Sequence, residues 1–354
     1  MEIKRFKIKT LAESTAPKIL LIYTGGTMGM VFDPVVKSLV PFNFDEILNN
    51  IPELGWLQAD LEILSIEPAI DSSDMNPAYW GQLATWIEKE YQIFDGFVIL
   101  HGTDTMAYTA SALSFMLWGL QKPVILTGAQ LPIGVARTDA RENIMTALER
   151  AIDASKGKVF LPEVCIYFNG RLLRGNRAKK YESSQFDAFQ SENYPMLAEV
   201  GVYLNYNTPY ILNEKLDELK VNTVFSNEVL IVKLYPGIRA DYLAKILECD
   251  HIQGIVLETF GSGNASSEPS FLKLIKEATD KGIIFLNVSQ CSGGAVKQGD
   301  YATGRSLAAA GVISGADMTT EAAITKLMYV LALDITLQEK KLMLSQNLRG
   351  EMTL

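Results

Sequence analysis

The sequence predicts an α/β fold: two α/β domains with mainly parallel sheets, a larger N-terminal domain and a smaller C-terminal one. Three observations carry this. Short apolar runs, too short for core helices, each end in a polar turn, as strands covered on both faces do. Amphipathic helical stretches alternate with these runs, the pattern of βαβ units with right-handed crossovers. At 354 residues the chain is long for a single core, and its composition shifts past the middle.

The first apolar run, Lys18–Tyr23, ends in Thr24-Gly25-Gly26-Thr27. A loop rich in Pro and Phe over 32–44 follows, long enough to act as a lid. Asp71-Ser72-Ser73-Asp74 lies between a proline-containing stretch and a helix expected to begin near Pro77. Gly96–Leu100 runs into His101-Gly102-Thr103-Asp104-Thr105, which opens a helical stretch over 103–117. A strand over 123–127 leads into Gly128-Ala129-Gln130, and a helix is expected over 137–152. A strand over 163–168 leads into Asn169-Gly170. Further on, 254–257 leads into Gly261-Ser262-Gly263-Asn264 and 282–286 into Ser289-Gln290-Cys291, with helices over 270–279 and 320–333. The polar stretch 206–227, which carries Pro209, reads as a linker. The expected division is an extension over 1–17, a domain over 18–205, the linker over 206–227 and a domain over 228–354.

Composition narrows the function. A hydrophobic content of 48% with 21% charge is ordinary for a soluble globular protein. A net charge of −9 argues against nucleic acid or an anionic membrane as partner. Cys165, Cys249 and Cys291 lack metal-ligand spacing and form no disulfide framework, so free buried thiols in a reducing compartment are expected. The only histidines are His101 and His251; no H-E-x-x-H motif and no G-x-S-x-G serine occurs. Neither a metal nor a cofactor is implied. The N-terminus is basic without a long apolar stretch, and no run approaches the roughly 20 apolar residues of a membrane span. A cytoplasmic location is expected.

In parallel sheets the polar turns gather at the carboxyl edge, where open α/β folds collect ligands. The Thr24 turn admits three readings: a phosphate loop, a nucleophile turn or a tight strand connection. Its glycines, at 25, 26 and 29, miss the dinucleotide spacing, and no Gly-Lys-Ser/Thr follows. Asp104 and Thr105 fall at a helix start, where N-capping is the default role. An acid beside a hydroxyl there can also bind an ammonium while backbone N–H groups hold a carboxylate. His101 reads as a structural hydrogen-bonder. Capping accounts for Ser73 or Asp74, and substrate binding is open to Asp71 and Ser72. The basic run Arg171, Arg174, Arg177, Lys179 and Lys180 is either a solvated face or brings a lysine to the site as a proton carrier.

Together these strings resemble the bacterial-type L-asparaginases, most closely the cytoplasmic type I enzymes. The resemblance rests on Tyr23-Thr-Gly-Gly-Thr-Met-Gly29, Asp71-Ser-Ser-Asp-Met75, the stretch 96–109, Arg174-Gly-Asn-Arg177 with Lys180, 311–319 and 345–351, and covers nearly the whole chain. It implies that Thr24 attacks the side-chain amide of L-asparagine, releasing ammonia and leaving an acyl-enzyme that water hydrolyses to L-aspartate. It implies that Thr103, Asp104 and Lys180 shuttle protons, and that backbone N–H groups of the threonine turns hold the oxyanion. Asp71, Ser72 and Ser73, with Thr103 and Asp104, would grip the substrate. Asn264 would complete a neighbour's site, which implies a homodimer or a dimer of dimers.

Two positions depart from the family pattern. Leu39 stands where the flexible loop usually carries a tyrosine, leaving Tyr108, Tyr181 or Lys180 to help activate Thr24. Glu258 stands where some type I enzymes place an allosteric-site arginine, while Ser289, Gln290 and Cys291 resemble the rest of that site, a possible remnant. Two other functions compete. An ammonia-supplying subunit of a tRNA-dependent amidotransferase carries an added N-terminal domain, for which residues 1–17 leave no room. A protein that senses asparagine without hydrolysing it is favoured only by Leu39.

Overall fold

The computed structural model describes residues 2–33, 37–41, 50–213, 218–299 and 302–353. Nine strands form the larger sheet: Glu2–Ile8 (β1), Lys18–Tyr23 (β2), Asp60–Glu67 (β3), Gly96–Leu100 (β4), Val124–Thr127 (β5), Val164–Phe168 (β6), Arg171–Arg174 (β7), Ala198–Val200 (β8) and Leu204–Tyr206 (β9). Their spatial order is β1-β3-β2-β4-β5-β6-β7-β8-β9. The central five are parallel to one another. The outer strands run antiparallel to their neighbours, so this sheet is mixed rather than parallel throughout.

The parallel centre follows directly from the apolar runs. Ile19 to Tyr23 and all of β4 are buried, because helices cover both faces of such strands. Strand β1 lies in the segment expected to precede the first strand. Its apolar residues are interleaved with Lys4, Arg5 and Lys7, which pair with Glu67, Glu62 and Asp60 of β3. A charged outer strand of this kind blunts a sheet edge. From β2 the chain crosses to β3 on one side, then returns to β4 on the other. That reversal makes a topological switch point between β2 and β4, where α/β sheets open a crevice at the carboxyl ends.

Among the described residues, the α-helices that accompany this sheet are Pro77–Glu90 (α1), Met106–Met116 (α2) and Ala140–Ser155 (α3). Asn76 caps α1, accepting from the N–H groups of Ala78 and Tyr79, with Pro77 in the first turn. The cap is therefore neither Ser73 nor Asp74. The lid expected over 32–44 is in part a hairpin of Met30–Asp33 and Ser38–Pro41, in which Leu39 pairs with Phe32. Residues 34–36 and 42–44 of that stretch, and the side chain of Leu39, lie outside the described residues.

The chain forms two compact units, Met1–Ser191 with Pro195–Thr223, and Glu192–Tyr194 with Val224–Leu354. Within the stretch read as a linker, Lys220–Val221 pairs with Leu117–Trp118 of the first unit. The second unit holds a four-stranded parallel sheet: Val229–Lys233 (β10), Gly254–Thr259 (β11), Ile284–Ser289 (β12) and Ile313–Ser314 (β13), in that spatial order. Its helices are Ala240–Leu247 (α4), Pro269–Asp280 (α5), Ala302–Ala309 (α6), Thr320–Leu331 (α7) and Leu337–Ser345 (α8). One apolar cluster of this unit includes Leu243, Ile255, Leu257, Phe271, Ile275 and Phe285.

Candidate active site

Register places the two threonine turns side by side. Tyr23, the last residue of β2, pairs with Leu100, the last of β4, so Thr24 and His101 leave the sheet together. Thr24 N–H donates to the Leu100 carbonyl at 3.0 Å, and Ile70 N–H donates to the Thr24 carbonyl at 2.7 Å. Glycines allow the turns to touch. A β-carbon on Gly26, whose φ is +92°, would lie 2.5 Å from Gly102 Cα; one on Gly102 would lie 2.5 Å from Ser72 Oγ. Three loops, following β2, β3 and β4, thus meet where side chains larger than hydrogen have no room.

Thr24 is buried, with 1% exposure. Its hydroxyl donates to the Leu100 carbonyl at 2.9 Å, its sole hydrogen-bond partner among the described residues. The sequence reading looked to Tyr108, Tyr181 or Lys180 to help activate Thr24; none of them is a hydrogen-bond partner of its hydroxyl.

The second cluster is assembled across the sheet. Lys180 Nζ donates to Thr103 Oγ1 at 2.8 Å and to Asp104 Oδ1 at 2.6 Å. The ammonium has no acceptor role, so the Thr103 hydroxyl proton is free to point to Gln130 Oε1, 3.3 Å away. Gln130 in turn donates from its side chain to the Gln185 carbonyl at 2.9 Å and from its backbone to Asp139. Gln130 was visible in the sequence as the end of a strand turn, but no motif marked it as a neighbour of Thr103.

Capping does not explain these residues. Thr105 occupies the N-cap position of α2 without a side-chain capping bond. Its hydroxyl donates to the Ser72 carbonyl at 2.7 Å instead, and the Asp104 carboxylate goes to Lys180. Asp71 is the residue that caps, accepting from Ser73 N–H at 2.9 Å and Ser73 Oγ at 2.7 Å. Those two donors hold the Asp71 carboxyl below its ordinary range, so it is anionic near neutrality.

His101 is fully buried behind the second turn. Burial lowers its pKa to about 4, so the ring is neutral. Nδ1 lies 2.6 Å from the Gly102 carbonyl, and Nε2 lies 2.9 Å from Thr109 Oγ1, which also accepts from Trp80 Nε1 at 3.0 Å. A carbonyl only accepts, so Nδ1 carries the proton and the Thr109 hydroxyl donates to Nε2. The structural reading of His101 is met.

Known proteins resemble this chain along most of its length. The family model described as "Asparaginase, N-terminal" matches residues 18–212, and "Glutaminase/Asparaginase C-terminal domain" matches residues 228–344. The chain belongs to the asparaginase family. L-asparaginase 1 of Escherichia coli (strain K12) is 43% identical over 337 residues, covering 95% of this chain and 98% of that protein. The 60 kDa lysophospholipase of Mus musculus is 42% identical over 360 residues, covering 95% of this chain and 63% of that longer protein. The structure of L-asparaginase I from Vibrio cholerae matches with a TM-score of 0.88 at 41% identity, covering 96% of this chain and all of that one.

The remaining positions that the asparaginase resemblance marked belong to the second unit. Asn264 closes the turn after β11, exchanging backbone hydrogen bonds with Phe260 at 2.9 Å each. Ser289 Oγ donates to the Gly261 carbonyl at 2.6 Å and accepts from Cys291 N–H at 3.0 Å. Gln290 donates to the carbonyls of Leu234 and Glu258. The Glu258 carboxylate accepts from Thr320 Oγ1 at 2.6 Å and lies 3.5 Å from Lys233 Nζ. These side chains brace the turns at the carboxyl edge of the smaller sheet. Among the described residues no helix is long and apolar enough to cross a membrane.

Proposed function

We propose that this chain hydrolyses L-asparagine to L-aspartate and ammonia, with Thr24 as nucleophile. The observation that carries this reading is the meeting of the Thr24 turn, Ser72 and the Lys180–Thr103–Asp104 cluster at one switch point. Thr24 Oγ attacks the side-chain amide carbon, forming a C–O bond. The C–N bond breaks as the nitrogen takes up a proton and leaves as ammonia. Water then attacks the acyl group on Thr24, releasing L-aspartate and restoring the hydroxyl.

The resting Thr24 proton lies on a backbone carbonyl, which is no base, so the hydroxyl turns away from Leu100 before attack. Lys180 exchanges protons with the Thr103 hydroxyl, and Asp104 orients the ammonium between them. The Thr103 backbone N–H is a donor for the developing oxyanion. Anionic Asp71, with Ser72, Ser73 and Asp104, receives the charged α-groups of the substrate. The family resemblance extends the proposal to a homodimer or dimer of dimers in which Asn264 completes a neighbour's site. A monomeric sedimentation profile for the active enzyme removes that part.

Ammonia release from L-asparagine tests the reading. The expected result is steady turnover that falls by roughly 10⁴- to 10⁶-fold in Thr24→Ala. Absence of ammonia release, or a Thr24→Ala enzyme at the native rate, overturns it.

A further inference from the structure

We propose that His101 is a positioning residue for catalysis: as a tautomer-locked clamp on the Gly102 carbonyl, it fixes the direction of the Thr103 backbone N–H. The inference deepens the reading given above and rests on it. The Gly102 carbonyl and the Thr103 N–H belong to one planar peptide unit, and that bond is not among the cis peptides of the described chain. In a trans unit the two groups point in opposite directions. A ring nitrogen holding the carbonyl at 2.6 Å therefore turns the N–H away from the buried ring.

The Thr103 N–H makes no hydrogen bond among the described residues. Thr103 is itself buried, and buried N–H groups are almost always paired. An unpaired amide beside the Lys180-linked hydroxyl is a donor kept for a ligand atom. Gly102 has no side chain to restrain its peptide, and Ser72 Oγ sits 2.5 Å from where a β-carbon would be. The restraint comes instead from a chain of donors: Trp80 Nε1–H to Thr109, the Thr109 hydroxyl to His101 Nε2, and His101 Nδ1–H to Gly102. Each link sets the next. Trp80 occupies one lone pair of the Thr109 oxygen, the Thr109 proton turns to Nε2, and only Nδ1 is left to donate.

The test combines kinetics with ring-nitrogen spectroscopy, which is simple with two histidines in the chain. His101→Leu is expected to lower kcat on the order of 10²-fold, the penalty of a misplaced catalytic group, with KM moving much less. His101→Asn, whose amide can reach the same carbonyl from near the Nδ1 position, is expected to recover most of that loss. Nitrogen-15 spectra of the native enzyme are expected to show a protonated Nδ1 and a bare Nε2; Thr109→Val is expected to mix the tautomers and lower kcat. A folded His101→Leu enzyme with native kcat, or a native ring protonated on Nε2, overturns the inference. Should His101→Leu not fold, Thr109→Val and the native spectrum decide alone. Loss of turnover in Thr24→Ala beside native kcat in the His101 and Thr109 variants defeats the positioning role and leaves the nucleophile standing. Native turnover in Thr24→Ala defeats both.

Discussion

Replacing His101 with asparagine is expected to flatten part of the protein's stability curve against pH. The buried ring titrates at about 4 in the folded protein and at its ordinary 6.5 once unfolded. Folding between about pH 4 and 6.5 therefore expels a proton, and the stability the neutral ring contributes is lost as pH falls through that window. The contribution is complete above pH 6.5, shrinks through the window down to pH 4, and falls no further below it. At 1.36 kcal/mol per unit, the window carries about 3 kcal/mol. Asparagine does not titrate, so this part of the slope is absent from His101→Asn, whatever constant offset the substitution brings. The assay is urea unfolding of both proteins at steps across the window, followed by tryptophan fluorescence. All four tryptophans, Trp56, Trp80, Trp86 and Trp118, lie in the unit that holds His101, so the signal reports the right transition. Parallel curves for the two proteins would refute the reasoning, since they would mean that His101 is not buried neutral.

Three further outcomes follow from the same geometry. Gly26→Ala sets a β-carbon 2.5 Å from Gly102 Cα and 2.6 Å from Gly102 N, so the two turns must part; kcat is expected to drop on the order of 10²-fold or more in ammonia-release kinetics. Lys180→Met removes the cation bonded to Thr103 and Asp104, and is expected to lower kcat by about 10²- to 10⁴-fold while the melting temperature changes little. In the second unit, Lys326 and Glu351 form an ion pair at 2.7 Å with both side chains fully buried. Lys326→Met leaves that carboxylate, among the described residues, with the Leu348 and Arg349 N–H groups, and urea unfolding followed by circular dichroism is expected to show a loss of about 3–5 kcal/mol, partly restored in Lys326→Met/Glu351→Gln, whose neutral amide oxygen still accepts from those N–H groups.

What the sequence made legible was whatever burial on both faces dictates. Lys18–Tyr23 and Gly96–Leu100 stand where their apolar runs end, and the turns that follow them meet as parallel packing requires. Half-exposed elements were harder to read. Glu2–Ile8 mixes charged and apolar residues at a sheet edge, so it resembled a basic tail, and Val229–Lys233, an outer strand of the smaller sheet, went unmarked beside the linker. Asp60–Glu67 lay hidden because Glu62 and Ser65 interrupt its apolar pattern and an acidic residue stands at each end; Asp60, Glu62 and Glu67 pair with the charges of the edge strand. At the site, Thr24, Thr103, Asp104 and Lys180 carried signals because hydroxyl, acid and lysine chemistry is recognisable by type. Gln130 carried none, being an amide whose role is set only by what lies 3.3 Å away. Asp71 was separable from Ser73 as the capping residue only by which oxygen accepts which N–H.

The central claim is that Thr24 becomes acylated. Rapid acid quenching of the enzyme during turnover of L-asparagine, followed by peptide mass mapping, measures this directly. The expected result is one aspartyl group on the peptide containing Thr24, absent from Thr24→Ala and gone once substrate is consumed. Continuous ammonia release with no acylated Thr24 peptide, or with the aspartyl group on Thr103, would contradict the account.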